Sequence, residues 1–289
     1  MNLLLLTFGE RLENHYQAVF SILSFAKDKL INRIIVVTDR SEFYSFLNEK
    51  VEIINIDKST LLQWQEPYQF FWKVKIKALE LVQSKYPDDH LLYVDSDTFL
   101  AKDLTEINDK LDKGHAFMHI LENKISFNSS NTFKKMFKSL NGKSFSNITI
   151  NENSEMWNAG VIALSAQNAK EIIKLALATC DEMCATDCPR RLIEQFAFSI
   201  SLKHLAQLNS CETIIGHYWG NKEEWNRLIA DFFVNAHLKH LSVDQQISIL
   251  SEYNWNQLPL EKKKRNSAEK LKKLINQIFP IKTIRYFES

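Results

Sequence analysis

Glycine and proline are scarce in this chain of 289 residues, which contains six glycines and five prolines. The fingerprint Gly-x-Gly-x-x-Gly and the P-loop pattern Gly-x-x-x-x-Gly-Lys-Ser/Thr are both absent, which argues against a dinucleotide oxidoreductase and against a P-loop enzyme. A continuous stretch of 18 apolar residues is also absent, so the sequence predicts no transmembrane helix. The opening Met-Asn-Leu-Leu-Leu-Leu lacks a basic start, which favours a buried strand over a signal peptide and predicts a cytoplasmic protein.

Neither sign of charge is in excess, because 36 Lys and Arg balance 35 Asp and Glu. A net charge this close to zero gives no general attraction to nucleic acid, and we expect no nucleic-acid partner. The tail is different, since residues 259–289 contain nine basic and three acidic side chains. Its run Lys262-Lys263-Lys264-Arg265 precedes an amphipathic apolar stripe. Such a helix could contact the inner face of an anionic membrane peripherally, or pack on the rest of the protein. The stripe consists of Leu271, Leu274, Ile275, Ile278 and Phe279.

Cysteine pairs with the short Cys-x-x-Cys spacing are missing. Cys180, Cys184 and Cys188 are spaced four apart, which places them along one helical face. A metal or cluster site is conceivable there. The missing short pairs and the adjacent Pro189 favour buried reduced thiols instead.

Apolar runs and helix-spaced patterns alternate along the chain, and this alternation predicts an α/β fold with a mostly parallel central sheet covered by helices on both faces. Residues 122–153 are polar and predict a loop-rich insertion with a helix near 131–139. Residues 1–225 form the predicted catalytic domain, and 226–289 form a basic, helical C-terminal extension that we expect to be helical up to residue 279. The predicted strands are Leu3–Leu6, Ile34–Val37, Val51–Ile56, Leu91–Val94 and Val161–Leu164, and the predicted helices span 14–26, 70–83, 166–186 and 190–206.

Two acids, Asp95 and Asp97, follow the apolar run Leu91–Val94 and are separated by Ser96. Residues i and i+2 of a strand point to the same side, so the two carboxylates are aimed at one place. That arrangement is costly unless a positive charge lies between them. Hard oxygen ligands suit Mg²⁺ or Mn²⁺, which proteins commonly share with substrate phosphates. The pair therefore predicts a divalent metal site, although a turn that caps the next helix is the simpler structural alternative.

Three polar residues occupy the ends of predicted strands. Thr7, Asp39 and Asp95 each follow an apolar run. In open parallel sheets, ligands bind beyond the carboxyl ends of the strands, so these positions are candidate ligand contacts.

Four segments in this order resemble the GT-A-fold glycosyltransferases, especially the retaining, family 8-like members, over about residues 1–225. Asp95-Ser96-Asp97 is similar to that family's Asp-x-Asp metal motif, and Trp157-Asn158-Ala159-Gly160-Val161 resembles its Asn-x-Gly turn. Glu194-Gln195 is similar to its acidic-Gln pair. His217-Tyr218-Trp219-Gly220-Asn221-Lys222 is similar to a His-x-x-Gly-x-x-Lys pattern, with the lysine one residue early.

The resemblance implies a donor site for a nucleotide-diphosphate sugar, with UDP the expected nucleotide. Asp95, Asp97 and His217 would hold Mn²⁺ or Mg²⁺, and Lys222 would contact the diphosphate together with Ser96 and Gly220. A basic residue of the helix before the metal strand is expected to contact the donor phosphates or an acidic side chain of the site, and Lys77 is preferred to Lys73. Thr7 and Asp39 would lie at the ribose and the base of the nucleoside.

The resemblance also implies a sugar side to the site. Asn158 and Gly160 would line it, with Gly160 allowing close approach of the substrate. Glu194 is the candidate carboxylate near the anomeric carbon, and Gln195 offers an amide beside it. Glu155 is a second candidate carboxylate. The expected reaction transfers a hexose to a glycan or glycolipid acceptor with retention of configuration.

Two other functions remain open at this stage. Val94-Asp95-Ser96-Asp97-Thr98 also resembles the first motif of haloacid dehalogenase-like phosphatases, in which the first Asp is the nucleophile, and Val161–Ser165 could imitate their second motif. About 90 residues precede this segment, however, whereas that family usually begins with it. A non-catalytic nucleotide-sugar-binding protein on the same scaffold is the other alternative.

Overall fold

The computed structural model of the chain describes residues 1–127, 130–262, 271 and 274–279. It contains thirteen short strands, of which seven form one central sheet. The strands are β1 (Asn2–Thr7), β2 (Arg33–Thr38), β3 (Glu52–Asn55), β4 (Leu91–Val94), β5 (Thr98–Leu100), β6 (Ala116–Met118), β7 (Leu121–Lys124), β8 (Ser144–Phe145), β9 (Ile148–Thr149), β10 (Glu155–Trp157), β11 (Val161–Leu164), β12 (Leu208–Ser210) and β13 (Ile215–His217).

Helices connect most of these strands and cover the sheet. The α-helices are α1 (Leu12–Phe25), α2 (Lys58–Trp64), α3 (Lys73–Lys85), α4 (Thr105–Leu111), α5 (Asn131–Leu140), α6 (Ala169–Cys184), α7 (Ile193–Leu205), α8 (Lys222–Leu238) and α9 (Val243–Ser251). Residues 274–278 are also helical.

The central sheet has the strand order β12-β6-β11-β4-β1-β2-β3. Strand β1 pairs in parallel with β2 and β4, β2 pairs in parallel with β3, and β6 pairs in parallel with β12. Strand β11 is antiparallel to both of its neighbours, β4 and β6. Six strands therefore run in one direction, which confirms the predicted α/β fold with a mostly parallel sheet.

The two faces of the sheet bury two hydrophobic clusters, as alternating side-chain directions require. Along β1, Leu3 and Leu5 point into the cluster that contains α1, whereas Leu4 points into the cluster that contains α3, α6 and α7. All three leucines are fully buried. Burial on both faces explains why the strands read as continuous apolar runs instead of alternating ones.

The C-terminal part is less helical than the sequence suggested. After α9, residues 252–262 form a short 3-10 turn and an extended segment, which includes Pro259. Proline cannot donate the backbone hydrogen bond that a continuing helix needs. Trp225 and Ile229 of α8 lie in the same hydrophobic cluster as α1, so residues on both sides of position 225 share one core. A separate extension over 226–289 stays a prediction.

The basic tail is described only in part. Residues 263–265 of its lysine and arginine run lie outside the described residues, whereas Lys262 forms an ion pair with Glu224. The five apolar residues of the predicted stripe are all exposed. In the described part of the chain, the helices are too short or too polar to cross a membrane.

Candidate metal and donor site

Three polar segments meet at the carboxyl edge of the parallel strands. Asp95 directly follows β4, and Thr7 ends the neighbouring β1. Asn158 and Gly160 precede β11 in sequence, but they reach the same edge because β11 runs antiparallel to β4. The backbone confirms this contact, since the N–H of Asp95 donates to the carbonyl of Gly160 at 2.8 Å.

A small β-ribbon brings His217 to the acidic pair. Strand β13 pairs antiparallel with β5, and His217 lies opposite Thr98, the residue after Asp97. The N–H of Tyr218 donates to the carbonyl of Asp97 at 3.1 Å, which fixes the two segments side by side. The imidazole Nε2 of His217 consequently lies 3.4 Å from Asp97 Oδ2.

The ligand atoms of Asp95, Asp97 and His217 all lie within 4.8 Å of one another, and this is the group in the described part of the chain that could hold a metal ion. In an octahedral shell with bonds of about 2.1 Å, neighbouring ligand atoms lie about 3 Å apart and opposite ones about 4.2 Å apart. The carboxylate of Asp97 is 96% buried, and its Oδ2 has no partner with hydrogen-bond geometry. Two carboxylate oxygens and one imidazole nitrogen are donors that a divalent ion such as Mn²⁺ or Mg²⁺ accepts, so the donor set fits such an ion.

Two basic side chains face the carboxylate of Asp97. Lys222 Nζ lies 2.8 Å from Asp97 Oδ2, and His217 faces the same oxygen. Burial alone would raise the pKa of Asp97, but His217 and Lys222 outweigh it and hold this pKa well below its usual range. Asp97 is therefore ionised and able to act as a ligand. The half-exposed Lys222 lies beside the metal group, and its contact with a diphosphate stays a prediction.

The buried lysine of the site is Lys75 and not Lys77. Lys75 Nζ lies 3.3 Å from Asp95 Oδ1 and 3.2 Å from Glu194 Oε1, and it donates to the carbonyl of Ala159 at 3.1 Å. Lys77 points elsewhere and pairs with Glu80 on its own helix. Residues two apart on a helix lie on different faces, and the face of Lys75 is the one that turns toward the sheet. A contact of Lys77 with the donor phosphates stays a prediction.

Glu194 is buried beside Asp95 through its contact with Lys75. Burial raises the pKa of Glu194, and the nearby ammonium of Lys75 only partly offsets this effect. The pKa of Lys75 is itself raised, because Asp95 and Glu194 outweigh the effect of its burial. The ammonium thus stays charged between the two carboxylates and holds them in place.

Asn158 and Gly160 contact His217 and so have a different immediate role from the predicted one. Asn158 Oδ1 lies 3.1 Å from His217 Nδ1. A Cβ atom at Gly160 would lie 2.1 Å from Cε1 of the His217 ring, so glycine is required there because the imidazole packs on its backbone. The close approach that Gly160 permits is therefore that of the protein's own histidine.

Gly220 also has an internal partner. A Cβ atom at Gly220 would lie 2.5 Å from Glu261 Cγ, and Lys262 N–H donates to the carbonyl of Gly220 at 3.2 Å. Pro259 continues this contact, since its carbonyl accepts from Trp225 Nε1 at 3.1 Å. The extended segment 258–262 thus packs against Gly220, in the turn directly before α8. The predicted contact of Gly220 with the donor stays a prediction.

Of the two predicted nucleoside contacts, Thr7 lies in the wall of the cleft over the acidic pair. The hydroxyl of Thr7 is already engaged by Tyr44 Oη at 2.7 Å and by Thr38 Oγ1 at 3.2 Å. Asp39 accepts from the N–H of Gly9 at 3.0 Å and holds the turn after β1. Ser96 lies in the cleft and donates to Gln17 at 3.4 Å. Gln195 donates to Glu122 at 3.2 Å.

A cleft of about 340 Å³ opens directly over the acidic pair. This volume lies at the small end of the range for ligand pockets, and its walls combine aromatic rings with charged groups. The residues along its walls are Leu6, Thr7, Phe8, Asn14, Phe71, Trp72, Val74, Lys75, Tyr93, Asp95, Ser96, Asp97 and Lys222.

Comparison with solved structures identifies the fold. A crystal structure of the galactosyltransferase LgtC in complex with donor and acceptor sugar analogues aligns with 90% of this chain and 98% of its own, at 12% identity and a TM-score of 0.52. The chain has the GT-A fold. An active-site mutant of LgtC (14% identity, TM-score 0.47, 73% of this chain and 72% of that one) also aligns. Mouse xyloside xylosyltransferase 1 (13% identity, TM-score 0.45, 73% and 84%) aligns as well. No family profile and no curated protein sequence matches the chain.

The two residues that a haloacid dehalogenase-like phosphatase would use, Asp95 and Ser165, lie far apart in this fold. Ser165 follows β11, and Leu164 pairs with Leu91 at the start of β4. Ser165 therefore lies at the opposite edge of the sheet from Asp95, because β11 and β4 are antiparallel. A phosphatase of that type needs both residues at one substrate, so this geometry does not support it.

Two further candidates lie away from the metal group. Glu155 bonds to Trp157 Nε1 at 3.0 Å and pairs with Lys203 at 2.6 Å. Cys180, Cys184 and Cys188 are buried and form no disulfide.

Lys75, Tyr93 and Glu122 were missed in the sequence. Tyr93 Oη donates to Asp95 Oδ1 at 2.6 Å, and its position two residues before Asp95 on the strand was an available signal. Lys75 shares a helix face with the apolar Leu79 and Val82, so its burial could have been inferred. Glu122 lies in the polar insertion, and we find no local pattern that distinguishes it.

Proposed function

We propose that this protein is a metal-dependent glycosyltransferase that moves a hexose from a nucleotide-diphosphate sugar, with UDP as the nucleotide, to a glycan or glycolipid acceptor. The observation that carries the proposal is the convergence of Asp95, Asp97 and His217 within 4.8 Å at the cleft of a GT-A fold. A galactosyltransferase with donor and acceptor analogues bound has this fold, and the same chemistry is inferred for this chain.

The charges of the site suit a diphosphate leaving group. Cleavage of the sugar–phosphate bond builds negative charge on the nucleoside diphosphate. A bound Mn²⁺ or Mg²⁺ would supply Lewis-acid stabilisation of that charge. Lys222 adds an ammonium group that is half exposed at the cleft, where it can leave Asp97 and contact a phosphate. Such preorganised charges stabilise a transition state because they need no reorganisation as it forms.

The sugar would lie on the side of the site that Glu194 and Asp95 share. Glu194 is the candidate carboxylate near the anomeric carbon, because Lys75 holds it beside the metal group. Gln195, the next residue, offers its amide nearby. Transfer with retention of configuration is part of the proposal and is supported by the resemblance of these motifs to retaining enzymes.

The acceptor side of the proposal involves the tail. The exposed apolar residues of 271–279 and the basic residues of 259–289 would lie against an anionic membrane, which suits a lipid-linked acceptor at the cytoplasmic face. The enzyme would then act as a peripheral membrane protein.

Release of nucleoside diphosphate tests the function. The protein is incubated with a panel of nucleotide-sugars and Mn²⁺, and we expect UDP release from at least one UDP-sugar. Hydrolysis of p-nitrophenyl phosphate without any response to nucleotide-sugars would indicate a phosphatase. Tight donor binding without turnover for any acceptor or water would indicate a binding protein.

His217→Ala tests the metal dependence of donor binding. We expect Mn²⁺ to raise the melting temperature of the wild type with UDP but not that of the variant, since one of three ligands is lost. His204→Ala is the matched control, because His204 is an exposed histidine at the end of α7. Equal Mn²⁺ responses in the two variants would remove His217 from the metal site.

A further inference from the structure

The side-chain amide of Asn158 is buried between three partners. Its Oδ1 accepts from the N–H of Gly160 at 3.0 Å, and its Nδ2 donates to Glu122 Oε1 at 2.9 Å. The same Oδ1 lies 3.1 Å from Nδ1 of His217. The side chain is 7% exposed, so water hardly competes for these contacts.

The orientation of this amide is fixed by chemistry and not only by its placement. A backbone N–H can only donate, so Gly160 requires the oxygen of the amide. An ionised carboxylate can only accept, so Glu122 requires the NH₂ group. Oxygen and nitrogen of an amide are otherwise easily exchanged in a structure, but here two partners of opposite character exclude the flipped orientation.

The orientation determines which nitrogen of His217 carries the proton. Because Asn158 presents an oxygen, Nδ1 of His217 must be the N–H that donates to it. We infer that Glu122 and Asn158 together are positioning residues that hold His217 as the Nδ1–H tautomer and leave Nε2 free as the metal ligand. The ligating nitrogen of a histidine must be unprotonated, and the partner of the other nitrogen selects it.

The geometry supports the opposite tautomer, with the proton on Nε2, less well. Nε2 of His217 lies 3.4 Å from Asp97 Oδ2, and that oxygen has no contact with hydrogen-bond geometry. The Nδ1 contact with Asn158 is shorter, at 3.1 Å, and does have hydrogen-bond geometry. Asp97 is the acceptor to which the proton would move if Asn158 released it.

Glu122 is itself held by two neighbours. Its second oxygen, Oε2, accepts from Gln195 Nε2 at 3.2 Å, so both carboxylate oxygens are engaged. It lies on β7, which pairs with β10, the strand that ends directly before Asn158. The N–H of Asn158 also donates to the carbonyl of Ile120 at 2.8 Å. Glu122 thus connects Gln195 of α7, through Asn158, to His217, although Glu122 itself is largely exposed.

Nitrogen-15 NMR of the metal-free protein tests the inference directly. The spectra are recorded as a pH series, and the tautomer is read from those in which the ¹⁵N shifts of His217 are those of a neutral imidazole. We expect His217 of the wild type to show a protonated Nδ1 and an unprotonated Nε2. Asn158→Leu should move the proton to Nε2, toward Asp97. Glu122→Ala should give a mixture, because the amide can then flip, whereas Glu122→Gln keeps an acceptor and should restore the Nδ1–H form.

Metal affinity supplies a second readout. Mn²⁺ binding by calorimetry should weaken about 10–100-fold in Glu122→Ala, which is the usual effect of removing a partner of a ligating histidine. Glu122→Gln should stay near the wild type. Glu152→Ala is the control for losing an exposed acid from the same insertion.

Two results would overturn the inference. One is a protonated Nε2 in the neutral His217 of the wild type. The other is an unchanged Nδ1–H form in both Asn158→Leu and Glu122→Ala, of which the second changes an exposed residue and so should fold. The inference deepens the metal site on which the proposed function rests. Since the spectra need no metal, a protein that binds no Mn²⁺ would refute the proposed function and leave the tautomer result standing.

Discussion

Replacing Gly160 with alanine is the most specific perturbation of the candidate metal site. The new Cβ would lie 2.1 Å from Cε1 and 2.4 Å from Nδ1 of the His217 ring. The backbone cannot easily withdraw, because Gly160 N–H donates to Asn158 Oδ1 and its carbonyl accepts from Asp95 N–H at 2.8 Å. The imidazole must therefore move.

The size of that movement follows from contact distances. Carbon atoms in contact lie about 3.5–4.0 Å apart, so the ring must retreat by roughly 1.4 Å or more. Metal–ligand distances tolerate about 0.2 Å. We therefore expect Mn²⁺ affinity to fall at least as far as after the loss of a supporting hydrogen bond, about 10–100-fold. Overpacking should also lower the free energy of unfolding by about 1–3 kcal/mol.

The assay compares Mn²⁺ titration by calorimetry with urea unfolding of the metal-free protein. Ile172→Val is the control, since Ile172 is fully buried in α6 and this change should cost about 0.5–1.5 kcal/mol of stability. The control should lose stability and keep its Mn²⁺ affinity. If Gly160→Ala binds Mn²⁺ as tightly as the wild type, His217 is not a ligand in the position described, and the reasoning fails.

Two further predictions concern packing around the site. Lys75→Met should lower the free energy of unfolding, measured by urea denaturation, by about 3–5 kcal/mol, because it leaves Asp95 and the buried Glu194 without their shared counter-ion. Adding Glu194→Gln should recover part of this loss. If the losses of the two changes simply add, the ion-pair explanation is contradicted. Gly220→Ala should displace segment 258–262, since its Cβ would lie 3.0 Å from the backbone Cα of Glu261. We expect a loss of about 1–3 kcal/mol and altered tryptophan fluorescence, and an unchanged unfolding curve would show that the contact with Glu261 is not formed.

The acidic pair was predictable because its signal is local. The apolar run predicts a strand, and a strand places alternate residues on one side, so the carboxylates of Asp95 and Asp97 must point the same way. The strands of the central sheet could also be predicted, because strands buried on both faces form continuous apolar runs in the sequence. The proximity of His217 to Asp97 could not be predicted in the same way, because no local pattern indicates the distance between residues so far apart in the chain. The resemblance of four motifs in order provided that link.

The contacts that the sequence did not show depend on which face of a helix or strand turns inward. Lys75 and Lys77 lie on one helix, and only the packing of α3 on the sheet decides that Lys75 reaches Asp95. Gly160 and Gly220 are similar cases. Both were assigned to the substrate, but the first accommodates the His217 ring and the second accommodates Glu261. A glycine shows that something approaches closely, and the sequence does not show what it is.

The sequence by itself determined the α/β alternation and the carboxylates aimed at one point, because both follow from the geometry of a single strand or helix. The tertiary structure decided the rest. Reversal of β11 brings Asn158 to the edge where β4 ends, and the β5–β13 ribbon brings His217 beside Asp97. Contacts between segments so far apart in the chain depend on strand order and direction, which are properties of the whole sheet and of no single segment.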